Sequence, residues 1–233
     1  MASRFRGVIF DLFGTLITTS AADVIDNRHL IADDLGVDQD AFARVRSETR
    51  EQSETGRTGG VEETLAFYAR HAGGEPAPEA LRRAAQRWHD ANRRWLTPEP
   101  STLDALDGLR ARGYRTGLLS NCGVSIPAVW DDSPLAPRFD ATAFSPEVGF
   151  LKPHPETYRI ICQRIGLDPG QCLYVGDGGD NELTGAAAAG LRAVLVETGL
   201  SAEMQRLTPE HEGESWTGER IQHLSQVADL LGR

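Results

Sequence analysis

Five polar residues of this sequence are of types that could work together on a bound anion: Asp11, Ser120, Asn121, Lys152 and Asp177. Two carboxylates can hold a hard cation, because such ions prefer oxygen ligands. A hydroxyl and an amide can donate hydrogen bonds, and an ammonium can offset negative charge. Four of the five directly follow a short apolar segment, or come one residue later, and Lys152 precedes a helical pattern. We therefore expect one shared site.

Short apolar runs predict the strands that position these side chains. Each run is continuously apolar rather than alternating, which is typical of strands buried on both faces of a parallel sheet. Helical patterns lie between them, so the sequence predicts an α/β fold of crossover units. The predicted strands cover residues 8–10, 117–119, 173–175 and 193–196, and the predicted helices cover residues 101–112, 155–165 and 181–189.

From about residue 21 to residue 96 the sequence has amphipathic stretches separated by turn signals, such as the glycine pairs at 59–60 and 73–74, and no convincing strand. Apolar residues at helical spacing, such as Leu81, Ala84 and Trp88, predict a helix packed against its neighbours. An insertion at this point would cover the strand ends, where ligands of open α/β sheets bind. We predict an α-helical cap at residues 17–96 and a Rossmann-like core at residues 1–16 and 97–233.

The composition of the 233 residues narrows the possible partners. A net charge of −10 argues against nucleic acid, which needs a clustered positive surface. No apolar run approaches the roughly 20 residues of a membrane helix, and no signal-peptide pattern is visible. Three cysteines without a paired spacing predict no disulfide framework, so a cytoplasmic location is expected. Lys152 is the single lysine among 24 basic residues, which indicates a need for an ammonium at that position.

Four motifs resemble those of the haloacid dehalogenase superfamily, in order and over nearly the whole chain. Residues 11–16 (Asp-Leu-Phe-Gly-Thr-Leu) resemble the first motif and residues 120–121 the second. Residues 149–153, with Pro155 and Tyr158, resemble the third. Residues 176–177, 181–182 and 185–186 resemble the fourth. The resemblance implies a Rossmann-like core with a helical cap inserted after the first motif.

The resemblance also implies roles for single residues. Asp11 would be the nucleophile, and Lys152 would assist catalysis by binding the transferring group and offsetting the charge of Asp11. Asp11, Asp177 and the backbone carbonyl of Phe13 would hold Mg²⁺. The remaining expected residues are Thr15, Ser120 and Asn121, which would bind substrate, and Asp180, Asn181 and Glu182, which would act on the ion through water or on its ligands. The implied partner is a small phosphorylated molecule, and the chain is expected to be a monomer or homodimer.

Phe13 departs from the pattern of the family's phosphatases, most of which have a second aspartate there as general acid and base. Phenylalanine cannot transfer a proton, so the reaction would lack the rate increase of about 10²- to 10⁴-fold that a general acid and base supplies. An aromatic residue at this position is familiar in the family's metal-independent 2-haloacid dehalogenases, where halide leaves without a proton. Asp177 favours the Mg²⁺-dependent phosphatase, because the dehalogenases replace that acid. A third reaction, phosphonate cleavage through a Schiff base on a lysine of the cap, is excluded because residues 17–96 contain no lysine.

Two alternatives to the phosphatase therefore stay open. One is a 2-haloacid dehalogenase with Asp11 as nucleophile, and the other is a non-catalytic phosphate sensor or scaffold. A dehalogenase needs an arginine for its substrate, but arginines are too abundant in the helical insertion for a match to be informative. We expect Arg28, Arg44 and Arg46 to lie on solvated helix faces.

Overall fold

Six parallel strands form the central sheet of the computed structural model, which describes residues 4–197 and 210–232. The predicted α/β class with a parallel sheet is confirmed. The sheet order is β3-β2-β1-β4-β5-β6, with every neighbouring pair parallel. The strands are β1 (Gly7–Phe10), β2 (Arg115–Ser120), β3 (Ala141–Phe144), β4 (Cys172–Gly176), β5 (Arg192–Val196) and β6 (Glu219–Ile221).

The central strand β1 ends at the edge of the sheet where the predicted site residues lie. All four of its residues are buried, as its unbroken apolar sequence predicts. Phe10 pairs with Leu118 of β2 on one side and with Val175 of β4 on the other. Because these three strands are parallel and in register, the residues that follow them lie at one edge of the sheet.

Helices cover both faces of the sheet and form the segment between β1 and β2. Five lie in that segment: α1 (Ala21–Leu35), α2 (Gln39–Glu48), α3 (Arg50–Glu54), α4 (Val61–His71) and α5 (Pro78–Trp95). The others in the described ranges are α6 (Pro100–Ala111), α7 (Ser145–Val148), α8 (Pro155–Ile165), α9 (Glu182–Ala188) and α10 (Val227–Leu231), besides short 3-10 turns.

The helices of residues 21–95 pack around their own apolar cluster, which includes Ile31, Phe42 and Leu65. The stripe predicted on α5 faces that cluster, with Trp88 buried and Leu81 half-buried against it. Local signals fix the starts of these helices: the Ser20 side chain accepts a hydrogen bond from the Asp23 N–H at 3.0 Å, which caps α1.

The chain after the fourth predicted strand differs from its prediction. The sequence of residues 219–231 predicts one closing helix, but Glu219–Ile221 form strand β6 and only Val227–Leu231 are α-helical. Strand β6 extends the sheet beside β5, and Ile221 packs into the core. Helix α6 also begins one residue earlier than expected, at Pro100, because proline is pre-organised for the first helical position.

Two further predictions can be compared with the described residues. All three cysteines are free and buried. Across residues 4–197 and 210–232, no helix has both the length and the apolar character needed to cross a membrane.

Candidate active site

Asp11 lies directly beyond β1 and is fixed in place by its neighbours. Its N–H donates to the Val175 carbonyl at 2.9 Å, which continues the pairing of β1 with β4. Its side chain is buried, and Oδ1 accepts a hydrogen bond from the Lys152 ammonium at 2.5 Å. Burial raises the pKa of Asp11 to about 6, with Lys152 opposing the rise and Asp177 adding to it.

Lys152 is a buried ammonium that donates to three oxygens. Besides Asp11, Nζ donates to Glu182 Oε2 at 2.5 Å and to the Tyr174 hydroxyl at 3.2 Å. Burial alone would lower the pKa of Lys152, but the carboxylates of Asp11 and Glu182 raise it above its usual range. Lys152 is therefore charged at neutral pH, and its three donors are matched by three acceptors.

Asn121, which follows β2, holds the backbone of Lys152. The Lys152 N–H donates to Asn121 Oδ1 at 2.8 Å, and Asn121 Nδ2 donates back to the Lys152 carbonyl at 3.2 Å. The same Nδ2 donates to Asp180 Oδ2 at 2.7 Å. Asn121 thus links the loops that follow β2, β3 and β4.

Three buried carboxylates, those of Asp11, Asp177 and Glu182, have oxygens within 4.8 Å of one another. Both oxygens of Glu182 are already bonded, Oε1 to the Gly178 N–H at 3.0 Å and Oε2 to Lys152 and Tyr174. Asp177 accepts one backbone hydrogen bond, from the Gly179 N–H at 3.2 Å, and its Oδ2 lies 3.5 Å from His211 Nε2. Asp11 and Asp177 therefore fit a hard divalent cation, while Glu182 supports Lys152.

The loop after β4 can bring Glu182 this close because of two glycines. A Cβ on Gly176 would lie 2.1 Å from Glu182 Oε1, so a larger residue there would displace that carboxylate. Gly178 has φ of +94°, in the left-handed region that favours glycine. The chain then turns into α9, which begins at Glu182.

A cavity of about 210 Å³ separates these strand ends from the helices of residues 21–95. Seven of the predicted residues line it: Asp11, Phe13, Asn121, Lys152, Asp177, Asp180 and Glu182. Thr15 and Ser120 are buried beside the strand ends without lining this cavity. Asn181 points elsewhere, because its Nδ2 donates to Glu210 at 2.7 Å.

The family comparison agrees with this geometry. Residues 5–190, about four fifths of the chain, match the haloacid dehalogenase-like hydrolase family. The chain belongs to this family. The resemblance drawn from the four motifs is therefore confirmed, and this haloacid dehalogenase-like protein is a hydrolase.

Two curated relatives are similar to this hydrolase in sequence, and one solved structure shares its fold. It is 31% identical over 161 residues to a glyceraldehyde 3-phosphate phosphatase of Methanothermobacter thermautotrophicus, covering 68% of this chain and 69% of the relative. It is 34% identical over 144 residues to a phosphoserine phosphatase of Thermus thermophilus, covering 60% of this chain but only 55% of that relative. The structure of L-2-haloacid dehalogenase from Xanthobacter autotrophicus superposes with a TM-score of 0.66 at 22% identity, covering 98% of each chain, which shows a shared fold.

The helical side of the cavity of this hydrolase carries residues that the sequence patterns did not predict. Arg50 forms a two-pronged ion pair with Asp180, Nη1 to Oδ1 at 2.8 Å and Nη2 to Oδ2 at 2.7 Å. It also pairs with Glu54 at 2.9 Å. No spacing signal marks these residues, because a charged helix residue looks the same in sequence whether it faces water or a neighbouring loop.

Two of the arginines expected on solvated faces are also at the cavity. Arg28 and Arg46 are half-buried and line it, whereas Arg44 is exposed as predicted. The prediction failed for Arg28 and Arg46 because α1 and α2 turn those sides of their surfaces toward the strand ends.

Proposed function

We propose that this hydrolase is a Mg²⁺-dependent phosphatase that cleaves a small phosphate monoester through a covalent intermediate on Asp11. The observation that carries the proposal is the buried Asp11 carboxylate, 2.5 Å from the Lys152 ammonium and clustered with Asp177 at a cavity. Two relatives named as phosphatases support the same class of reaction. Asp177 favours it over a metal-independent reaction, since a second buried acid beside Asp11 calls for a cation.

In the proposed mechanism a carboxylate oxygen of Asp11 forms a bond to phosphorus while the bond from phosphorus to the substrate oxygen breaks. Water then hydrolyses the acyl phosphate, which releases inorganic phosphate and restores Asp11. Lys152 holds the carboxylate in place and offsets its charge, so that an anion can approach. Bound Mg²⁺, held by Asp11, Asp177 and the Phe13 carbonyl, would neutralise the negative charge that builds on the phosphoryl oxygens.

The proposal includes the division of the chain that the sequence suggested. Residues 17–96 would act as a cap over a core made of residues 1–16 and 97–233. The Arg50–Asp180 ion pair supports this division, because it joins α3 to the loop after β4 across the cavity. A cap in this position would exclude water from the carboxylates and strengthen their interactions.

Phe13 keeps a 2-haloacid dehalogenase as the second candidate. Its side chain lines the cavity at the position of the missing acid, and a halide needs no proton to leave.

The two candidates differ in their need for metal. We expect chelation with EDTA to abolish phosphate release from p-nitrophenyl phosphate, and Mg²⁺ to restore it, because uncompensated carboxylates repel the substrate. Halide release from 2-chloropropionate should stay undetectable. Both products are measured in parallel on one preparation, and halide release that ignores EDTA would reverse the choice.

The absence of an acid at Phe13 predicts a strong preference for good leaving groups. Aryl phosphates need little protonation of the departing oxygen, whereas alkyl phosphates need a proton. We expect p-nitrophenyl phosphate to turn over well and ethyl phosphate slowly. A Phe13→Asp variant should raise turnover of ethyl phosphate by about 10²-fold or more, with a much smaller change for p-nitrophenyl phosphate.

Phe13→Asn is the matched control for this variant, because asparagine has the shape of aspartate without a transferable proton. The ratio of the two substrates' kcat values is the readout, so a general loss of folded protein cancels. Equal wild-type rates on the aryl and alkyl esters would show that another group already supplies the proton.

A further inference from the structure

Two arginines of the helical segment lie at the cavity without a carboxylate partner. Arg28 of α1 and Arg46 of α2 both line it and are half-buried. In residues 4–197 and 210–232, Arg28 has no recorded hydrogen bond or ion pair. Arg46 likewise makes no hydrogen bond or ion pair in those ranges, and its guanidinium lies 5.4 Å from the ring centre of Tyr68 and 5.6 Å from that of Trp88.

The neighbouring acids do not supply the missing partners. Glu54 acts electrostatically on both arginines, but its recorded ion pair is with Arg50. Asp180 is likewise engaged, because it pairs with Arg50 and accepts a hydrogen bond from Asn121. The pKa of Arg28 is lowered to about 10, first by burial and then by the neighbouring charge of Arg46, while Glu54 opposes the change. Two half-buried like charges facing one space are stabilised by an anion bound between them.

Arg46 is held in place for such a role. Its guanidinium lies over the rings of Phe42, Tyr68 and Trp88, which belong to the apolar cluster of the helical segment. Cation–π contact with these rings limits the motion of the guanidinium while its N–H groups remain available to an acceptor. Little conformational entropy is then lost when an anion binds.

We propose that Arg28 and Arg46 form a second anion site, opposite the Asp11 carboxylate, which binds a carboxylate or a second phosphate on the far end of the substrate. The proposal rests on the proposed phosphatase function and narrows its substrate class to small phosphate monoesters with a second anionic group. It distinguishes the substrates named for the relatives, because phosphoserine carries a carboxylate and glyceraldehyde 3-phosphate carries an aldehyde there.

The test compares small phosphate monoesters whose distal group is a carboxylate, a neutral amide or a second phosphate. We choose 2-phosphoglycolate, its neutral amide 2-phosphoglycolamide, and ethylene glycol bisphosphate, which carries a second phosphate instead of a carboxylate. Arg28→Gln and Arg46→Gln should each lower kcat/KM for the preferred substrate with a second anionic group by about 10- to 100-fold. The amide should change by less than about threefold. The better of the two charged substrates identifies the distal group.

Arg44→Gln is the matched control, because Arg44 is exposed on the same helix as Arg46 and does not line the cavity. It should leave all three substrates unchanged. Equal losses on 2-phosphoglycolate and its amide would overturn the proposal, since the arginines would then act on the transferring phosphoryl group or on folding. Thermal unfolding of each variant separates those two cases.

A binding measurement separates this inference from the proposed function. Calorimetric titration of 2-phosphoglycolate into the Asp11→Asn variant reports binding without turnover, and adding Arg28→Gln or Arg46→Gln should weaken it about tenfold or more. Such arginine-dependent binding in a protein that hydrolyses no phosphate ester would refute the phosphatase and keep the anion site. Turnover that is indifferent to the distal charge and to both arginines would keep the phosphatase and refute the anion site.

Discussion

An Asp11→Asn variant loses phosphate release by about 10⁴-fold or more, the scale seen when a hydrolase loses its nucleophile. The amide nitrogen and oxygen of asparagine are poor nucleophiles, and no covalent intermediate can form. Asp11 has no substitute, because the other acids of the cluster are engaged: Glu182 is bonded through both oxygens and Asp177 is proposed to hold the metal. The measurement is steady-state phosphate release, together with acid-quenched samples analysed by mass spectrometry for a phosphoryl group on Asp11.

Asp104→Asn is the matched control, since Asp104 is exposed on α6 and remote from the cavity lining. It should retain full activity. The Asp11→Asn protein should fold, because the change removes one of three clustered buried carboxylates and leaves Lys152 paired with Glu182. Retained turnover in that folded variant would show that Asp11 is not the nucleophile.

A Lys152→Arg variant is expected to lose about 10²- to 10³-fold in kcat, although every other Lys or Arg position in this chain is an arginine. The ammonium is a compact donor with Asp11, Glu182 and Tyr174 arranged around it. A planar guanidinium is larger and presents its donors in a fixed fork. It cannot meet the same three oxygens in a buried space without moving the Asp11 carboxylate out of line.

The Lys152→Met variant tests the positive charge itself, because methionine keeps an unbranched side chain of nearly the same length but has no charge. That variant should lose as much activity and also be less stable to heat, because it leaves buried carboxylates without their cation. Lys152→Arg should be the more stable of the two. Normal activity of Lys152→Arg would mean that the single lysine reflects composition alone.

The central strands could be predicted from the sequence because a strand buried on both faces has a continuous run of apolar residues. Residues 8–10, 117–119, 173–175 and 193–196 all fall within observed strands. The two edge strands, β3 and β6, were missed. They are short and include half-buried or exposed positions, so neither has an unbroken apolar run. Strand β6 in particular has a charged sequence, Glu-Arg-Ile, that resembles a helix surface as much as a strand.

By itself the sequence determined the family and the residues at the strand ends, because four motifs and four apolar runs are local features. Only the tertiary structure decided what those residues touch. The Lys152–Asp11 contact joins positions 141 residues apart, and it depends on the order of strands in the sheet. The same holds for Glu182 beside Lys152 and for Arg28 and Arg46 at the cavity. An amphipathic pattern shows which side of a helix is apolar, but only packing determines what the polar side faces.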